Sequence, residues 1–281
     1  MAKAKDPLLT LISKGGGVSI ADLGGAFSEI LKEAVGNVNT HFAVRELSKL
    51  PRAREPLPTD TRLLSSYRTR IGTMLEYAIC SAVNEIITTR YKKQLFFTFV
   101  SAHQYPDFHL RNPKRDILAR VEMKAIDAES DEQAARFDVA TRLVDSAKDL
   151  LFILGWKWTD IVDAQGKVYA ESPIIFTSLV IPAGELAAER DARLAITGGK
   201  IIDGEVVVYS KRTGKYVPDP GNYGKFWRIV HRSRIEQKNP NPTIGAFLKF
   251  LEEVGNNAPK NRFVLKKNTK KSGPFKKGST K

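Results

Sequence analysis

Residues Tyr105–Ala125 read YPDFHLRNPKRDILARVEMKA and predict the central part of the fold. Fourteen residues separate two acids, Asp107 and Glu122, and Lys124 follows the second acid two positions later. Between the acids, Arg111–Asp116 combines turn-forming residues with positive charge, a pattern typical of a turn. After this turn, apolar and polar residues alternate, which predicts a half-buried strand. The stretch therefore predicts a hairpin that brings Asp107 close to Glu122 and Lys124.

This arrangement of charged residues suits one kind of chemistry. Two carboxylates on adjacent strands supply the oxygen ligands that Mg²⁺ prefers. A bound Mg²⁺ stabilises charge on a phosphate oxygen and activates a water molecule for attack on phosphorus. Lys124 lies two residues from Glu122 and so on the same face of the strand, where its ammonium can act as a point charge. The residues predict hydrolysis of a phosphodiester with one or two Mg²⁺ ions per active site.

The same residues carry a family resemblance. Pro106-Asp107 followed by Glu122-x-Lys124 resembles the signature of the PD-(D/E)XK nuclease superfamily, and the chain is most like a Type II restriction endonuclease. The resemblance implies that both acids ligate Mg²⁺ and that the backbone carbonyl of Met123 does so too. It also implies a metal-binding glutamate on the preceding helix, which is Glu76 here. A surface glutamate paired with a nearby arginine is the equal alternative for Glu76.

A second segment fits the same loose pattern. Pro218-Asp219 precedes Glu236-Gln237-Lys238, with sixteen residues between the two acids. Asp219 lies in a strong turn sequence, and Lys238 runs directly into Asn239–Pro242. We therefore expect the site at Asp107 and not at this second copy.

Elements predicted around the hairpin follow the order of the nuclease core. They are a helix at about Thr61–Arg90, a strand at Gln94–Val100, a helix at Asp131–Ala147, a buried strand at Asp149–Trp158 and a strand at Ile174–Ile181. The predicted fold class is α/β, with a central mixed β-sheet flanked by helices in a restriction-endonuclease-like core. Further N-terminal helices and a C-terminal β-rich, basic region are added to this core.

Domain organisation follows from the same pattern. We expect a disordered N-terminus over 1–17, apart from a possible short helix at Leu8–Ile12. Next come a helix over Ile20–Val35 that stops at Gly36-Asn37 and, downstream, a hairpin within Leu194–Ser210. A single nuclease domain would span 18–258, with a catalytic core at about 60–182 and a DNA-contacting extension at about 190–255. Residues 259–281 form a basic, flexible tail.

The charge of the chain indicates an acidic partner. Net charge is +14 and the pI is about 9.7, which is typical of proteins that bind nucleic acid. The tail holds nine lysines and arginines and no acid, so the net charge of the rest falls to +5. Predicted DNA-contacting residues are Arg111, Lys114, Arg115, Lys225, Arg228, Arg232 and Arg234. For the last four, the alternative is a solvated face of a segment whose Phe226, Ile229 and Val230 belong to the core.

The cysteine and histidine content excludes further classes of protein. Cys80 is the single cysteine, so an internal disulfide is excluded and a structural zinc site is not expected. The sequence shows no signal peptide and no run long enough to span a membrane. We expect a cytoplasmic protein that does not bind membranes.

These observations predict a Mg²⁺-dependent endodeoxyribonuclease that cleaves double-stranded DNA at a specific short sequence. The resemblance implies a homodimer and a companion DNA methyltransferase. A repair or junction-resolving nuclease on the same core is one alternative. A non-catalytic DNA-binding protein, in which the acids are structural, is another.

Overall fold

The computed structural model describes residues 6–44, 57–100, 104–130, 136–138, 143–162, 168–218, 223–226, 228–229 and 241–257. The helices are α1 (Pro7–Lys14), α2 (Ile20–Val44), α3 (Thr61–Arg90), α4 (Ala183–Ile196) and α5 (Pro242–Asn256). The strands are β1 (Phe96–Phe99), β2 (Phe108–Arg111), β3 (Ile117–Asp127), β4 (Asp149–Val162), β5 (Val168–Pro182), β6 (Gly199–Ile202), β7 (Glu205–Ser210) and β8 (Lys215–Pro218). Strands β1 to β5 form one sheet in sequence order, and β6 to β8 form a second, smaller sheet.

Helix α3 has the bounds that the sequence predicted. Asp60 caps it, because its carboxylate accepts hydrogen bonds from two backbone amides of the first turn, which would otherwise have no partner. The buried side chains recur at helical spacing and include Leu75, Ile79, Val83 and Ile87. This apolar stripe holds α3 against the sheet.

The five-stranded sheet is mixed. β2 and β3 pair antiparallel with Phe108 opposite Val121, which confirms the predicted hairpin. β3 and β4 pair parallel with Glu122 opposite Leu151, and β4 and β5 pair antiparallel. Strand β4 begins as an apolar run, Leu150–Leu154, that is fully buried, as the sequence predicted for a central strand.

Helices cover both faces of this sheet. One apolar cluster joins α1, α2 and α3 to the sheet through residues such as Phe27, Ile79, Phe97, Val121 and Phe152. A second cluster joins α4 and α5 to the opposite face through Leu151, Ile153, Leu186, Phe247 and Leu251. The fold is therefore α/β, with a mixed sheet flanked by helices, which confirms the predicted class.

The N-terminal part is more ordered than the sequence predicted. Residues 1–5 lie outside the described residues, and the possible short helix at Leu8–Ile12 is present as the slightly longer α1, Pro7–Lys14. Leu8 is fully buried in the first cluster, so tertiary packing stabilises this short helix. Helix α2 also continues past Gly36-Asn37 to Val44, because it lies along the sheet and Asn39 exchanges two hydrogen bonds with the backbone of Ile175.

The connection between β3 and β4 differs from the prediction. We expected a helix over Asp131–Ala147, but the described residues of that range, 136–138 and 143–147, contain no α-helix. Phe137 instead lies fully buried in the second cluster, and its backbone amide donates a hydrogen bond to the carbonyl of Gly224. A long-range backbone pairing therefore replaces local helical hydrogen bonds here.

The C-terminal part contains elements that the sequence reading did not predict. Helix α4 follows β5 directly, and strand β8 extends the β6–β7 hairpin to three strands. The predicted turn at Asp203-Gly204 is confirmed, since Ile202 and Glu205 are paired across it. The basic tail, 259–281, and Asp219, Glu236 and Lys238 of the second motif copy lie outside the described residues.

None of the described helices combines the length and the apolar character needed to cross a bilayer.

Candidate active site

The predicted hairpin places Asp107 directly beside β3. Asp107 immediately precedes β2, and its Oδ2 accepts a hydrogen bond from the backbone amide of Met123 at 2.7 Å. The neighbouring pair Phe108–Val121 sets this register. Because the side-chain carboxylate bonds to the strand, Asp107 is held next to the residue that separates Glu122 from Lys124.

Glu122 and Lys124 form an ion pair along one face of β3. Lys124 Nζ donates to Glu122 Oε1 at 2.5 Å, as expected for residues two apart in a strand. Glu122 is 6% exposed. Its second oxygen, Oε2, is buried and has no hydrogen-bond partner among the described residues. A buried carboxylate oxygen without a partner is unfavourable, so it marks a position where a further ligand would be stabilised.

Helix α3 brings Glu76 into the same site. Electrostatic interactions connect Glu76 with Asp107, Glu122 and Lys124. Within the part of the chain that the structure describes, no arginine forms an ion pair with Glu76. Of the two interpretations left open by the sequence, this position agrees with a carboxylate that faces the acids and not with a surface glutamate paired with an arginine.

The pKa values reflect the crowding of negative charge. The pKa of Glu76 is raised to about 7, mainly by burial and then by the negative charges of Asp107 and Glu122, against the opposing effect of Lys124. Burial likewise raises the pKa of Glu122 to about 7, although Lys124 acts in the opposite direction. Burial lowers the pKa of Lys124, but the negative charges of Glu122, Asp107 and Glu76 outweigh it, so the pKa is raised overall. Two carboxyls with such raised pKa values are typical of functional sites.

A cleft of about 540 Å³ opens beside Glu76 and Lys124. One wall is the first half of α3, including Arg68, Gly72 and Glu76, and the other is the second half of β3, including Lys124 and Asp127. Arg68 Nε donates to Asp127 Oδ2 at 2.9 Å. This ion pair joins the two walls and so fixes the separation of the elements that carry Glu76 and Lys124. The sequence analysis identified neither Arg68 nor Asp127.

The donor set fits a hard divalent cation. Glu76, Asp107 and Glu122 supply carboxylate oxygens, the ligands that Mg²⁺ prefers, and Glu122 Oε2 lacks a partner. Within the described ranges, no group of three or more His, Cys, Asp or Glu side chains is placed so that it could hold a metal ion, so the fit concerns the kind of donor and not the present positions of the side chains. Instead Lys124 provides the positive charge next to Glu122. The backbone carbonyl of Met123, the remaining predicted ligand, belongs to the same stretch of β3.

The structure separates several predicted DNA-contacting residues from the carboxylates. Arg111, Lys114 and Arg115 lie at the turn between β2 and β3, at the far end of the hairpin. The four residues of β2 separate Asp107 from Asn112, where this turn begins, a distance of about 17 Å for five steps of extended chain. Arg111 Nη1 donates to the backbone carbonyl of Arg115 at 2.7 Å, so part of its hydrogen-bonding capacity stabilises the turn.

The aromatic and basic segment near the C-terminus is partly core. Phe226 and Ile229 are buried in the second apolar cluster, which agrees with the core alternative for those two positions. Lys225 and Arg228 are half-buried, and Lys225 forms a backbone bridge with Arg136. Val230, Arg232 and Arg234 lie outside the described residues. The predicted nucleic-acid surface is thus limited, within the described chain, to the flanks of a packed segment.

Comparison with known proteins identifies no relative. The sequence matches no family model, and neither a curated protein nor a solved structure is significantly similar to it. What defines the chain is the α/β fold with a carboxylate–lysine site at the middle of β3.

Proposed function

We propose that the protein is a Mg²⁺-dependent endodeoxyribonuclease that hydrolyses phosphodiester bonds in double-stranded DNA. The proposal includes the resemblance to PD-(D/E)XK nucleases and, within them, to Type II restriction enzymes, which implies cleavage at a specific short sequence. The restriction-endonuclease-like identity of the core, a homodimer and a companion methyltransferase are parts of the same proposal.

The observation that carries the proposal is the convergence of four side chains from three segments. Asp107 from the start of β2, Glu122 and Lys124 from β3, and Glu76 from α3 interact electrostatically at one site. Three acids and one lysine beside an open cleft are the groups that metal-assisted phosphodiester hydrolysis requires. The buried Glu122 Oε2, which has no partner within the described residues, is in addition available to a cation.

Each residue has a distinct task in this reaction. Glu76, Asp107 and Glu122 would hold one or two Mg²⁺ ions, and bound Mg²⁺ supplies charge stabilisation at the phosphate and a lowered pKa of water. Asp107 keeps its position through the hydrogen bond from the Met123 amide. Lys124 carries its ammonium beside Glu122, where it orients the attacking water or offsets the negative charge that develops on the phosphate.

The test is a digest of long, defined, unmethylated DNA with the full chain and Mg²⁺. Wild type is compared with Glu122→Gln and Asp107→Asn, both of which preserve side-chain shape and, at position 107, an acceptor oxygen. Glu85→Gln is the matched control, because Glu85 lies on α3 but is exposed. In the digest we expect discrete bands from wild type and from the control, and intact DNA from the two site variants. In a gel shift we expect all four proteins to bind DNA.

Other outcomes distinguish the alternative functions. A smear that depends on Glu122 would indicate a repair, junction-resolving or otherwise sequence-independent nuclease on the same core. Intact DNA from several sources with every protein, together with an unchanged gel shift, would indicate a non-catalytic DNA-binding protein. Cleavage by the Glu122→Gln variant at the wild-type rate would overturn the site assignment.

A further inference from the structure

A second cavity lies away from the carboxylate site, between α4, β7 and the segment 223–229. Its volume is about 280 Å³. Three arginines, Arg190, Arg193 and Arg228, line it, and its described lining includes no acidic residue. A concave site with one sign of charge concentrates oppositely charged ligands. We refer to it as the arginine pocket.

Arg190 forms a rigid wall of the arginine pocket. It is 2% exposed, and its guanidinium pairs with Asp191 through Nε at 2.9 Å. The guanidinium carbon lies 4.5 Å from the centre of the Tyr223 ring and 5.3 Å from that of Phe137. Since Nη1 also donates to the backbone carbonyl of Phe137, Arg190 holds the wall in place, while Asp191 offsets its charge.

Arg193 has the capacity to bind a ligand. Its Nε is buried and has no hydrogen-bond partner in the described part of the chain. A buried donor on a charged group is stabilised when it is satisfied, and the guanidinium matches the geometry of phosphate oxygens. Arg193 occupies the last turn of α4, where a cation also stabilises the helix dipole, so the test must separate the two roles.

The rim of the pocket favours a nucleotide unit over a simple anion. Tyr209 lines the pocket and is 51% exposed. Its ring contacts Tyr216 at 5.6 Å between centroids, and Lys200 Nζ lies 4.0 Å from the centre of that second ring. Exposed aromatic rings beside cations suit stacking of a base next to a bound phosphate.

Glu122 of the carboxylate site projects to the face of the sheet that α4 covers. Glu122 is the register partner of Leu151, and paired residues project to the same side. Leu151 belongs to the cluster that contains Leu186 of α4 and Ile229 of the pocket segment. The apolar cluster beneath Glu122 thus continues to the wall of the arginine pocket, to which Ile229 also belongs.

We propose that the arginine pocket binds a phosphate group of a nucleic-acid strand, with Arg193 as a principal contact and Arg228 beside it. Phosphate binding by the pocket is independent of the nuclease function, whereas the assignment of this phosphate to a DNA substrate rests on the proposed function. A free nucleotide is the other source of the same chemistry, and the experiment distinguishes the two.

The experiment measures binding of a fluorescent DNA duplex and of a fluorescent single strand by anisotropy, in EDTA so that cleavage does not intervene. The variants are Arg193→Gln, which removes the charge, and Arg193→Lys, which retains the charge but not the forked geometry. Arg212→Gln is the charge-matched control, because Arg212 is exposed at the β7–β8 turn. Titration calorimetry with deoxyadenosine monophosphate and with inorganic phosphate tests the free ligands.

We expect Arg193→Gln to weaken binding of at least one of the two DNAs by roughly tenfold and to reduce the slope of log K against log salt by about one. Arg193→Lys should show an intermediate loss, and Arg212→Gln should change binding by less than about twofold. A role of Arg193 in helix stability alone would explain neither the smaller salt slope of Arg193→Gln nor the intermediate loss of affinity in Arg193→Lys. Urea unfolding of each variant verifies that the fold is intact, and Arg228→Gln replaces Arg193→Gln if the latter is destabilised.

Two results would redirect or overturn the proposal. If the monophosphate binds wild type but not Arg193→Gln, while both proteins bind DNA equally, the strand is excluded and the pocket holds a free nucleotide. If Arg193→Gln binds DNA, nucleotide and phosphate as the Arg212→Gln control does, the pocket is not a phosphate site. Absence of cleavage in the Mg²⁺ digest would refute the nuclease proposal and leave these binding results unaffected.

Discussion

Arg120 and Asp149 form a two-point ion pair between the parallel strands β3 and β4, with Nε–Oδ1 and Nη2–Oδ2 distances of 2.6 Å. The two are register partners, and Asp149 is completely buried. Asp149 also accepts a hydrogen bond from the Tyr105 hydroxyl. Since Tyr105 and Arg120 each lie two residues before a candidate metal ligand, one buried carboxylate connects both segments that carry the site.

Replacing Asp149 should therefore destabilise the fold. In Asp149→Ala, Arg120 and Tyr105 lose their shared partner, and we expect a loss of about 3 kcal/mol in the free energy of unfolding. Urea denaturation followed by circular dichroism measures it. The control Glu29→Gln breaks the exposed Lys32–Glu29 pair and should change stability by less than about 1 kcal/mol. Equal losses in the two variants would contradict the structural role of the buried pair.

Lys124 is expected to act in the reaction more than in binding. Lys124→Met removes the ammonium beside Glu122 but keeps a chain of similar length, and we expect cleavage to slow by about 100-fold or more. Affinity for DNA should change by less than about threefold, because one charge among many contributes little to binding. Single-turnover cleavage and anisotropy separate the two quantities, with the exposed Lys148→Met as control. A variant that cleaves normally would remove Lys124 from the mechanism.

The raised pKa of Glu76 predicts an unusual pH dependence of stability in the absence of metal. Its pKa is about 7 in the folded protein against an ordinary value of 4.5, so the folded state binds more protons between these values. Stability is then fully present below pH about 4.5 and decreases as pH rises through about 7, by up to about 3 kcal/mol for this group. Thermal unfolding in EDTA across this range should show the decrease, on top of the contributions of other groups.

The same thermal unfolding experiment is repeated with two variants and with Mg²⁺. Glu76→Gln should flatten the decrease, because the amide does not ionise, while the exposed Glu85→Gln should leave it unchanged. Mg²⁺ should raise the melting temperature of wild type more at pH 8 than at pH 6, since protons compete with the cation for these carboxylates. A pH profile that is identical in wild type and Glu76→Gln would show that Glu76 is not buried among the acids.

Two glycines should respond to alanine in opposite directions. A Cβ on Gly155 of β4 would lie 2.6 Å from Thr177 Cγ2 and 2.9 Å from Val254 Cγ2. Gly155→Ala should therefore push α5 away from the sheet and destabilise the fold by about 1–3 kcal/mol. In contrast, Gly25 lies on the exposed side of α2 with no atom near its Cβ position. Gly25→Ala should stabilise by about 0.5–1 kcal/mol, and chemical denaturation of both proteins tests the contrast.

Local sequence patterns were sufficient to predict a helix or strand wherever one of its faces is buried and the other is exposed. The bounds of α3 follow from a capping aspartate and a regular apolar stripe, and β3 follows from strict alternation after a turn. The proximity of Asp107 to Glu122 follows as well, because a hairpin brings together residues from both of its strands. These features depend on residues that are close in sequence.

Other features depend on contacts between distant segments. Gly36-Asn37 is a plausible helix end by composition, yet α2 continues because Asn39 bonds to β5. An amphipathic pattern predicted a helix over 131–147, whereas Phe137 pairs with the backbone near Gly224. Helix α4 is rich in alanine, and its arginines lie three residues apart. This helical periodicity would have been enough to predict α4, but the sequence analysis did not do so.

The sequence by itself determined the mixed α/β order and the pairing of Asp107 with Glu122 and Lys124, since alternation and turn chemistry act over a few residues. Only the tertiary structure decided that Glu76 faces the acids, because no spacing along the chain relates α3 to β3. It also decided that Arg190, Arg193 and Arg228 line one pocket, where the packing of α4 against the segment 223–229 brings together charges that are remote in the chain. Burial then sets the pKa values of Glu76 and Glu122, since a carboxylate that has lost its water depends on the charges that the fold places around it.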